Sequence, residues 1–399
     1  MIEFLIAIII GCLLGIITGI TPGIHINLIA AILLVYSAIL VKIADPIIIA
    51  VIIIAMSITH TFADFIPTTF LGAPNENTLS GTLPAHKLLL KGEGEKAIRL
   101  SIMGSITGII LTIIFSPALF FIIKILFEKI QPSFGVLLVL ISISLVIKEE
   151  KKLKAAGLLL ISGCLGIVVL NSPVLKDPLL PLFTGLFGIS SLVISINDNT
   201  KIPKQKTKSE INIKIKEILG ISILSTFLSS LTAILPAITT SQITNIIMSI
   251  YKKLKEEIVI LITSLIGTSS MIMSLIGLYA IGKARNGSII SIKEIIGKMD
   301  LQIILIIYST ILITIGVSYL LTIQTSKIFI NVIQKINYKI ISVTLTLLLI
   351  ILIFYFTGYT GILVAITSTS LGVLTIKSNI GRNVLISCLI MPVALFYIL

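Results

Sequence analysis

Asp64 is an acidic residue inside a long apolar stretch of this chain, and His60 precedes it by four residues. On a helix the two side chains share a face and can hydrogen-bond. A charge at the centre of a bilayer costs roughly 2.5 to 3.5 kcal/mol, so such a residue normally faces the protein interior or water. The pair therefore predicts an ion-coupling site. The alternatives are a buried ion pair without that role, or an Asp64 near the membrane interface because Pro67 ends the helix.

Asn75 and Asn77 follow Pro74 shortly after this pair. Amide and carbonyl oxygens can coordinate a sodium ion at an interrupted membrane helix. We therefore assign both asparagines to the same predicted ion-coupling site. A packing face of small polar residues is the other interpretation, because such residues are common where membrane helices meet.

The first apolar run is interrupted at Gly19, Pro22 and Gly23, and His25 and Asn27 follow the interruption. Proline lacks a backbone donor, so the break leaves peptide groups that lipid cannot satisfy. The start of the next helix offers free N–H groups that favour an anion. These five residues are predicted to contact an anionic substrate. His25 could instead hydrogen-bond the opened backbone of its own hairpin.

A similar break occurs about two hundred residues later, at Pro236. Aligning Pro236 with Pro22 brings small and polar residues of the two segments into register, and paired broken helices are typical of a transport site. The second set of predicted substrate contacts is Pro236, Thr239, Ser241, Gln242 and Asn245. The hydroxyl groups among them could merely hydrogen-bond the preceding helical turn.

The composition indicates a membrane protein. Of the 399 residues, 56% are hydrophobic and only 12% are charged, with a mean hydropathy of +1.16, whereas soluble domains carry about 25% charged residues. Apolar runs of spanning length recur along the chain. We predict an all-α, polytopic helical protein of the cell membrane, with two related halves that contain broken or re-entrant helices.

The polar stretch at 197–216 predicts a cytoplasmic linker between an N-terminal half at 1–196 and a C-terminal half at 217–399. By the positive-inside rule, this linker and the basic segments 87–99 and 148–154 face the cytoplasm. Counting charges also puts Lys42, Lys252 and the segment 283–298 on that side. This works only if residues 46–75 and 258–282 dip in and return, or span in pairs. The sequence leaves open whether the two halves are inverted or parallel.

Other functional classes find little support. The net charge of +13 resides in short loops between apolar runs, which argues against nucleic acid as a partner. All three cysteines fall in apolar runs, and the three histidines lack a metal-binding spacing. There is no Walker loop and no paired catalytic carboxylate. We predict neither a catalytic residue nor a metal site, and hence no enzyme.

Several motifs resemble a known family. They are Gly15, Gly19, Pro22 and Gly23 in the pattern Gly-x-x-x-Gly-x-x-Pro-Gly, the segment 70–76, Lys91-Gly92, and Gly185 to Ile189. This pattern is similar to that of TctA-like proteins, the large permease subunits of tripartite tricarboxylate transporters. The resemblance covers about residues 5 to 195 and is looser beyond them. Pro236-Ala237 stands where the family has a second proline-glycine pair.

The resemblance implies an ion-coupled secondary transporter for a small organic anion, a di- or tricarboxylate. It implies Na⁺ or H⁺ as the coupling ion and no other cofactor. It also implies two partners, a small membrane subunit and an extracytoplasmic binding protein. Two alternatives stay open, namely a polyprenyl-phosphate translocase that uses the same site for a headgroup, and a membrane scaffold without transport.

Overall fold

The computed structural model describes residues 2–22, 26–42, 44–75, 77–175, 177–196, 203–206, 210–211, 213–251, 254–297, 299–335 and 338–399. The protein is 84% helical, and these residues include no strand. The described part holds nine helical segments that are long and apolar enough to cross a membrane. The prediction of an all-α polytopic membrane protein is confirmed.

The described residues before the predicted linker form eleven helices. They are α1 (Ile2–Ile20), α2 (Ile26–Val35), α3 (Ser37–Leu40), α4 (Pro46–Ala63), α5 (Phe65–Phe70), α6 (Leu79–Leu90), α7 (Gly94–Ile130), α8 (Phe134–Ile147), α9 (Lys152–Leu170), α10 (Leu179–Phe183) and α11 (Ser190–Ile196), with a π-helical turn at Thr184–Ile189.

Eight helices lie in the described part of the chain after it. They are α12 (Ile215–Ser229), α13 (Leu231–Ile234), α14 (Thr240–Ile250), α15 (Glu256–Ile281), α16 (Gly287–Ile296), α17 (Leu301–Lys335), α18 (Tyr338–Lys377) and α19 (Ser387–Ile398). The apolar segments of α7–α8 and α18 each contain an interruption, at a 3₁₀ turn Gln131–Ser133 and at Gly358, whose φ of 65° and ψ of −158° are not helical.

Helix α1 packs closely on α4 through glycines four residues apart. A Cβ atom on Gly11 would lie 2.5 Å from Ile52 O, and one on Gly15 would lie 2.5 Å from Met56 O. The contacts advance along both helices in the same direction, so α1 and α4 run parallel. The segment between α1 and α4 must therefore bring the chain back to the end of the molecule where α1 begins.

The second break has the same form. Ala233 in α13 lies near Gly277 towards the end of α15, and Thr240 at the start of α14 lies near Gly267. Helix α14 thus runs back towards the start of α15. Between them Ala237 has a φ of 60°, in the left-handed region where a Cβ costs about 1 to 2 kcal/mol. The sequence alignment sets this alanine against Gly23, which lies outside the described residues.

The central helices α4 and α15 run in opposite directions and touch where Thr268 Oγ1 donates to Thr61 Oγ1 at 3.0 Å. Phe70, at the end of α5, packs against Gly94. Two residues further along α7, Lys96 Nζ forms an ion pair of 2.6 Å with Glu257, at the start of α15. The end of α4–α5 therefore lies beside the beginning of α15.

A long helix of each half packs against the central helix of the other half. Helix α17 runs alongside α4, with Ser318 Oγ 2.7 Å from Thr59 Oγ1. Eleven residues further along each of the two helical segments, Phe329 stacks on Phe70. Helix α7 runs alongside α15, with Thr112 Oγ1 donating to Ser269 Oγ at 3.0 Å. Similarly, α4 contacts α16, and α15 contacts α6.

Basic residues gather at the end of the molecule where α15 begins, which we call the basic end. Lys87 Nζ pairs with Glu256 at 2.9 Å, and Lys148 Nζ donates to Ser249 Oγ at 2.9 Å near the end of α14. These are residues that the positive-inside rule assigns to the cytoplasm.

One expectation about topology is wrong. Helix α15 is unbroken over 26 residues, or about 39 Å, which is enough to cross a bilayer. Lys283 therefore lies at the end opposite Lys255, and residues 258–282 do not dip in and return. Helices α4 and α5 together form a 25-residue span, so Lys42 also lies opposite the basic end.

The described part of the predicted linker packs on the turn between α6 and α7. Gln205 is 5% exposed; its Oε1 accepts from Gly94 N at 2.8 Å, and its Nε2 donates to Leu89 O at 3.0 Å. Lys206 N donates to Gly92 O at 2.8 Å. The boundaries of the two halves and of the linker stay predictions.

Candidate functional site

A cavity of about 800 Å³ lies between the two broken helices. Its wall takes residues from both breaks, from α4, α10, α15 and α16, and from the loop 71–78. On the side away from the basic end, the cavity extends to Tyr36, just after α2, and to Asp177, in the loop before α10. Towards the basic end the described lining stops at Thr78, Thr240 and Thr263.

At the first break, the C-terminal end of α1 and the residues directly after it line the cavity. Thr18, Gly19, Thr21 and Pro22 line the wall. Gly19 also packs on α4, because a Cβ there would lie 2.6 Å from that of Ala63. The predicted contacts Gly23 and His25 lie outside the described residues, as does the side chain of Asn27.

The second break contributes the four residues from Ala237 to Thr240. Thr240 is 1% exposed, and its hydroxyl has no hydrogen-bond partner among the described residues. A buried hydroxyl normally has a partner, so this one suits a ligand in the cavity. Gln242 is not part of the wall; its Oε1 accepts from Thr239 N at 2.9 Å and caps its own helix. Pro236 does not line the cavity either.

Ser241 and Asn245 join α14 to α6 instead of lining the cavity. Ser80 Oγ donates to Ser241 O at 3.0 Å and has Asn245 Oδ1 within 3.2 Å. Ser80 N donates to Ser241 Oγ at 3.3 Å, and that hydroxyl donates to Asn77 O at 3.2 Å. We call these bonds the α6–α14 contact. It connects the two halves directly below the cavity, on the side of the basic end.

Asp64 and Asn75 meet in the cavity wall. Asp64 lies between α4 and α5 and is 7% exposed; Asn75 Nδ2 donates to its Oδ2 at 3.2 Å. Asn75 Oδ1 accepts from Asn77 N at 3.0 Å and from Thr78 N at 2.9 Å. Asn75 therefore fixes both the loop and the carboxylate. Pro67 lies within α5, so the helical segment continues beyond it to Phe70.

His60 lies on the same wall and is 6% exposed. Its Nδ1 is 3.0 Å from Thr18 Oγ1, and that hydroxyl donates its hydrogen to Gly15 O at 3.1 Å. When the Thr18 hydroxyl donates to Gly15 O, Nδ1 is the donor of the bond between His60 and Thr18. The four residues predicted for ion coupling, His60, Asp64, Asn75 and Asn77, all line this cavity.

Arg285 is a cavity residue that the sequence analysis missed. Its Nη2 donates to Ile234 O at 3.0 Å and its Nε to Ala233 O at 3.4 Å, so it caps the last carbonyls of α13 at the break. Asn286, which follows it, caps α16 by accepting from Ser288 N at 2.8 Å. The sequence grouped Arg285 with loop charges. The usable signal was its place between α15 and α16, matching Asn75 between α5 and α6.

The lining is mixed in character. Four described lining residues can carry charge, namely His60, Asp64, Asp177 and Arg285. Several large apolar side chains share the wall, listed here with their elements: Leu179, Leu180 and Phe183 of α10, Phe187 of the π-helical turn, and Ile290 of α16. In the part of the chain that is described, no cluster of three or more His, Cys, Asp or Glu residues could hold a metal ion.

A family model for the tripartite tricarboxylate transporter TctA family matches residues 5–387. The chain belongs to the TctA family. The resemblance carried by Gly15, Gly19, Pro22 and Gly23 is confirmed, and it extends through the second half. TctA proteins form a transporter family rather than an enzyme family.

A relative of this TctA protein is Uncharacterized protein MJ1079 of Methanocaldococcus jannaschii. The two are 28% identical over 99% of each chain. No solved structure matches the chain. The family assignment, together with nine candidate spans, identifies a multi-pass membrane transporter.

Proposed function

We propose that this TctA protein is an ion-coupled secondary transporter that holds an organic anion in the cavity between its two breaks. The observation that carries the proposal is that one cavity takes lining from both breaks and from the buried carboxylate Asp64. Broken helices and an intramembrane carboxylate are each costly in lipid, and a transport site accounts for both. A scaffold would need neither.

The substrate contacts follow from the wall of the cavity. Arg285 supplies a positive charge, and Thr240 supplies a buried hydroxyl without a partner among the described residues. A guanidinium has five N–H donors in a planar fork that matches a carboxylate. These groups support a carboxylate, the substrate class of the family, as the ligand.

Coupling is proposed to act through Asp64. A proton or a Na⁺ on this carboxylate would change the hydrogen bond from Asn75, and with it the loop 71–78 that carries Asn77 into the α6–α14 contact. Binding of a proton or Na⁺ to Asp64 would thereby change how the α6–α14 contact closes the cavity. His60, on the same wall, is the second group that could exchange a proton.

We also propose that the two halves are an inverted repeat. Opposite directions of α4 and α15 support this, as do the exchanged contacts of α17 with α4 and of α7 with α15. Inverted halves around a central site are a common basis of alternating access. The small membrane subunit, the extracytoplasmic binding protein and a place in the cell membrane are parts of the same proposal.

The test is uptake of labelled organic acids into proteoliposomes under an imposed Na⁺ or proton gradient, with the partner subunits supplied if the chain alone is inactive. Asp64→Asn keeps the size of the side chain but loses the charge, so we expect it to abolish gradient-driven accumulation and to spare exchange of bound substrate. Glu150→Gln, an exposed carboxylate in the turn before α9, is the matched control.

Two results would count against the proposal. Gradient-driven uptake that is unchanged in Asp64→Asn would remove Asp64 from coupling. Wild-type protein that is folded and complete with partners, but moves no organic acid under either gradient, would overturn transport itself.

A further inference from the structure

We infer that the substrate of this cavity is an amphiphilic anion, with one anionic headgroup on a large apolar body, rather than a tricarboxylate. The inference rests on the proposed transport function and narrows its substrate class. Two features of the cavity carry it: the balance of charge on its wall, and the extent of apolar side chains beside that charge.

The charge balance disfavours a trianion. Among the described lining residues, Arg285 is the one permanent cation, and it shares the wall with the carboxylates of Asp64 and Asp177. A buried anionic group needs its own charged or hydrogen-bonding partners, or it costs several kcal/mol. Three carboxylates would share one guanidinium, and they would lie in the same cavity as Asp177 and, when it carries no proton or Na⁺, the charged form of Asp64.

One headgroup can be satisfied. Arg285 contacts Ala233 O, Ile234 O and the hydroxyl of Tyr397. If each contact takes one donor, the guanidinium still has N–H groups for a single carboxylate or phosphate. The Thr240 hydroxyl, buried and without a partner in the described part of the chain, is a further group of the right chemistry in the same wall.

An apolar part of the wall suits an apolar body. Leu180, Phe183 and Phe187 lie on consecutive turns and all line the cavity, as do Ile32 of α2 and Ile290 of α16. Leu180 and Phe187 are 6% and 1% exposed, so little of either side chain is accessible to solvent. Carboxylates placed against such side chains would lose water without gaining partners. A volume of about 800 Å³ is also large for a small hydrophilic acid and ordinary for a larger ligand.

The experiment measures binding to the full chain in nanodiscs and exchange in proteoliposomes for citrate, succinate, and butanoate, hexanoate and octanoate. Burial of one methylene is worth about 0.8 kcal/mol, so affinity should rise about fourfold per added carbon, or roughly 200-fold from butanoate to octanoate. Citrate should bind more weakly than octanoate. Geranyl phosphate, compared with decanoate, distinguishes a phosphate headgroup from a carboxylate.

A variant separates specific binding from partition into lipid. Phe183→Ala removes part of the apolar wall and should lower the gain per methylene at least twofold, while the matched Phe396→Ala, 79% exposed and outside the cavity, should not. Arg285→Gln should weaken every acid alike. Because Arg285 also caps α13, Phe183→Ala is the decisive variant if Arg285→Gln does not fold.

The outcomes are distinct. Affinity that rises with chain length and falls in Phe183→Ala supports the inference, and preference for geranyl phosphate supports it with a phosphate headgroup, as in a lipid-linked phosphate. Citrate binding more tightly than every monocarboxylate overturns it while leaving anion transport intact. Absence of binding and exchange for every ligand tested, geranyl phosphate included, overturns the proposed function as well.

Discussion

The α6–α14 contact should set how often the cavity opens towards the basic end. Ser80 Oγ carries one hydrogen, which it donates either to Ser241 O or to Asn245 Oδ1. Ser80→Ala therefore removes one hydrogen bond from the contact, worth about 1 kcal/mol net. Since 1.4 kcal/mol is a factor of ten, the open form at the basic end should become about fivefold more populated.

The assay is the rate at which a membrane-impermeant maleimide reaches Ile238→Cys, a cavity residue, in vesicles of known orientation. Cys164, the exposed native cysteine, is first replaced, while Cys12 and Cys388 are buried. Labelling from the basic end should rise about fivefold in Ser80→Ala. Ser142→Ala is the control, because Ser142 Oγ donates only to Leu138 O of its own helix.

The reasoning fails if Ser80→Ala leaves labelling unchanged from both ends although the protein is folded. In that case the contact does not limit access. An equal rise from both ends would also contradict it, because that would report general loosening rather than opening of one side.

Three further predictions concern stability, measured as the thermal midpoint in detergent. Gly15→Ala would place a Cβ 2.5 Å from Met56 O and should lower the stability of the fold by about 1 to 3 kcal/mol through overpacking. The control is Gly220→Ala, which has open space around it and should not destabilise the protein. Equal thermal midpoints for the two variants would refute the close packing of α1 on α4. Gly358→Ala should cost about 1 to 3 kcal/mol because its φ and ψ are accessible essentially to glycine alone, and a wild-type midpoint would contradict that backbone conformation. Gln205→Ala should leave Gly94 N without its acceptor, which costs about 1 to 3 kcal/mol of stability. The variant should also expose the linker to cleavage by trypsin at Lys204 and Lys206. An unchanged digestion pattern would show that Gln205 does not hold the linker in place.

Local chemistry made several parts of the site predictable. The apolar runs located the spans, because a helix that crosses the bilayer needs a long stretch of apolar residues. Gly19 and Pro22 marked the first break, because proline cannot continue the helical hydrogen bonds. Asp64 marked a buried site, because an intramembrane charge needs a protein partner, and Asn75 provides one.

Contacts between distant segments were not predictable in the same way. Ser241, Gln242 and Asn245 looked like cavity residues by their polarity, yet Gln242 caps α14 and the other two hold α6. Polarity shows that a buried group needs a partner, but it does not say which partner. Only the approach of α6 to α14 decides that.

The amino-acid sequence by itself determined the membrane class, the two breaks and the family, because each depends on local composition or on motifs within a few residues. The tertiary structure decided that α4 and α15 run in opposite directions, that Lys42 and Lys283 lie away from the basic end, and that Arg285 enters the cavity. Helix direction is fixed by packing such as that of Phe70 on Gly94 and by the Thr61–Thr268 hydrogen bond, which joins residues about two hundred positions apart. Charge counting could not recover it, because a lysine after a span carries the same charge at either end.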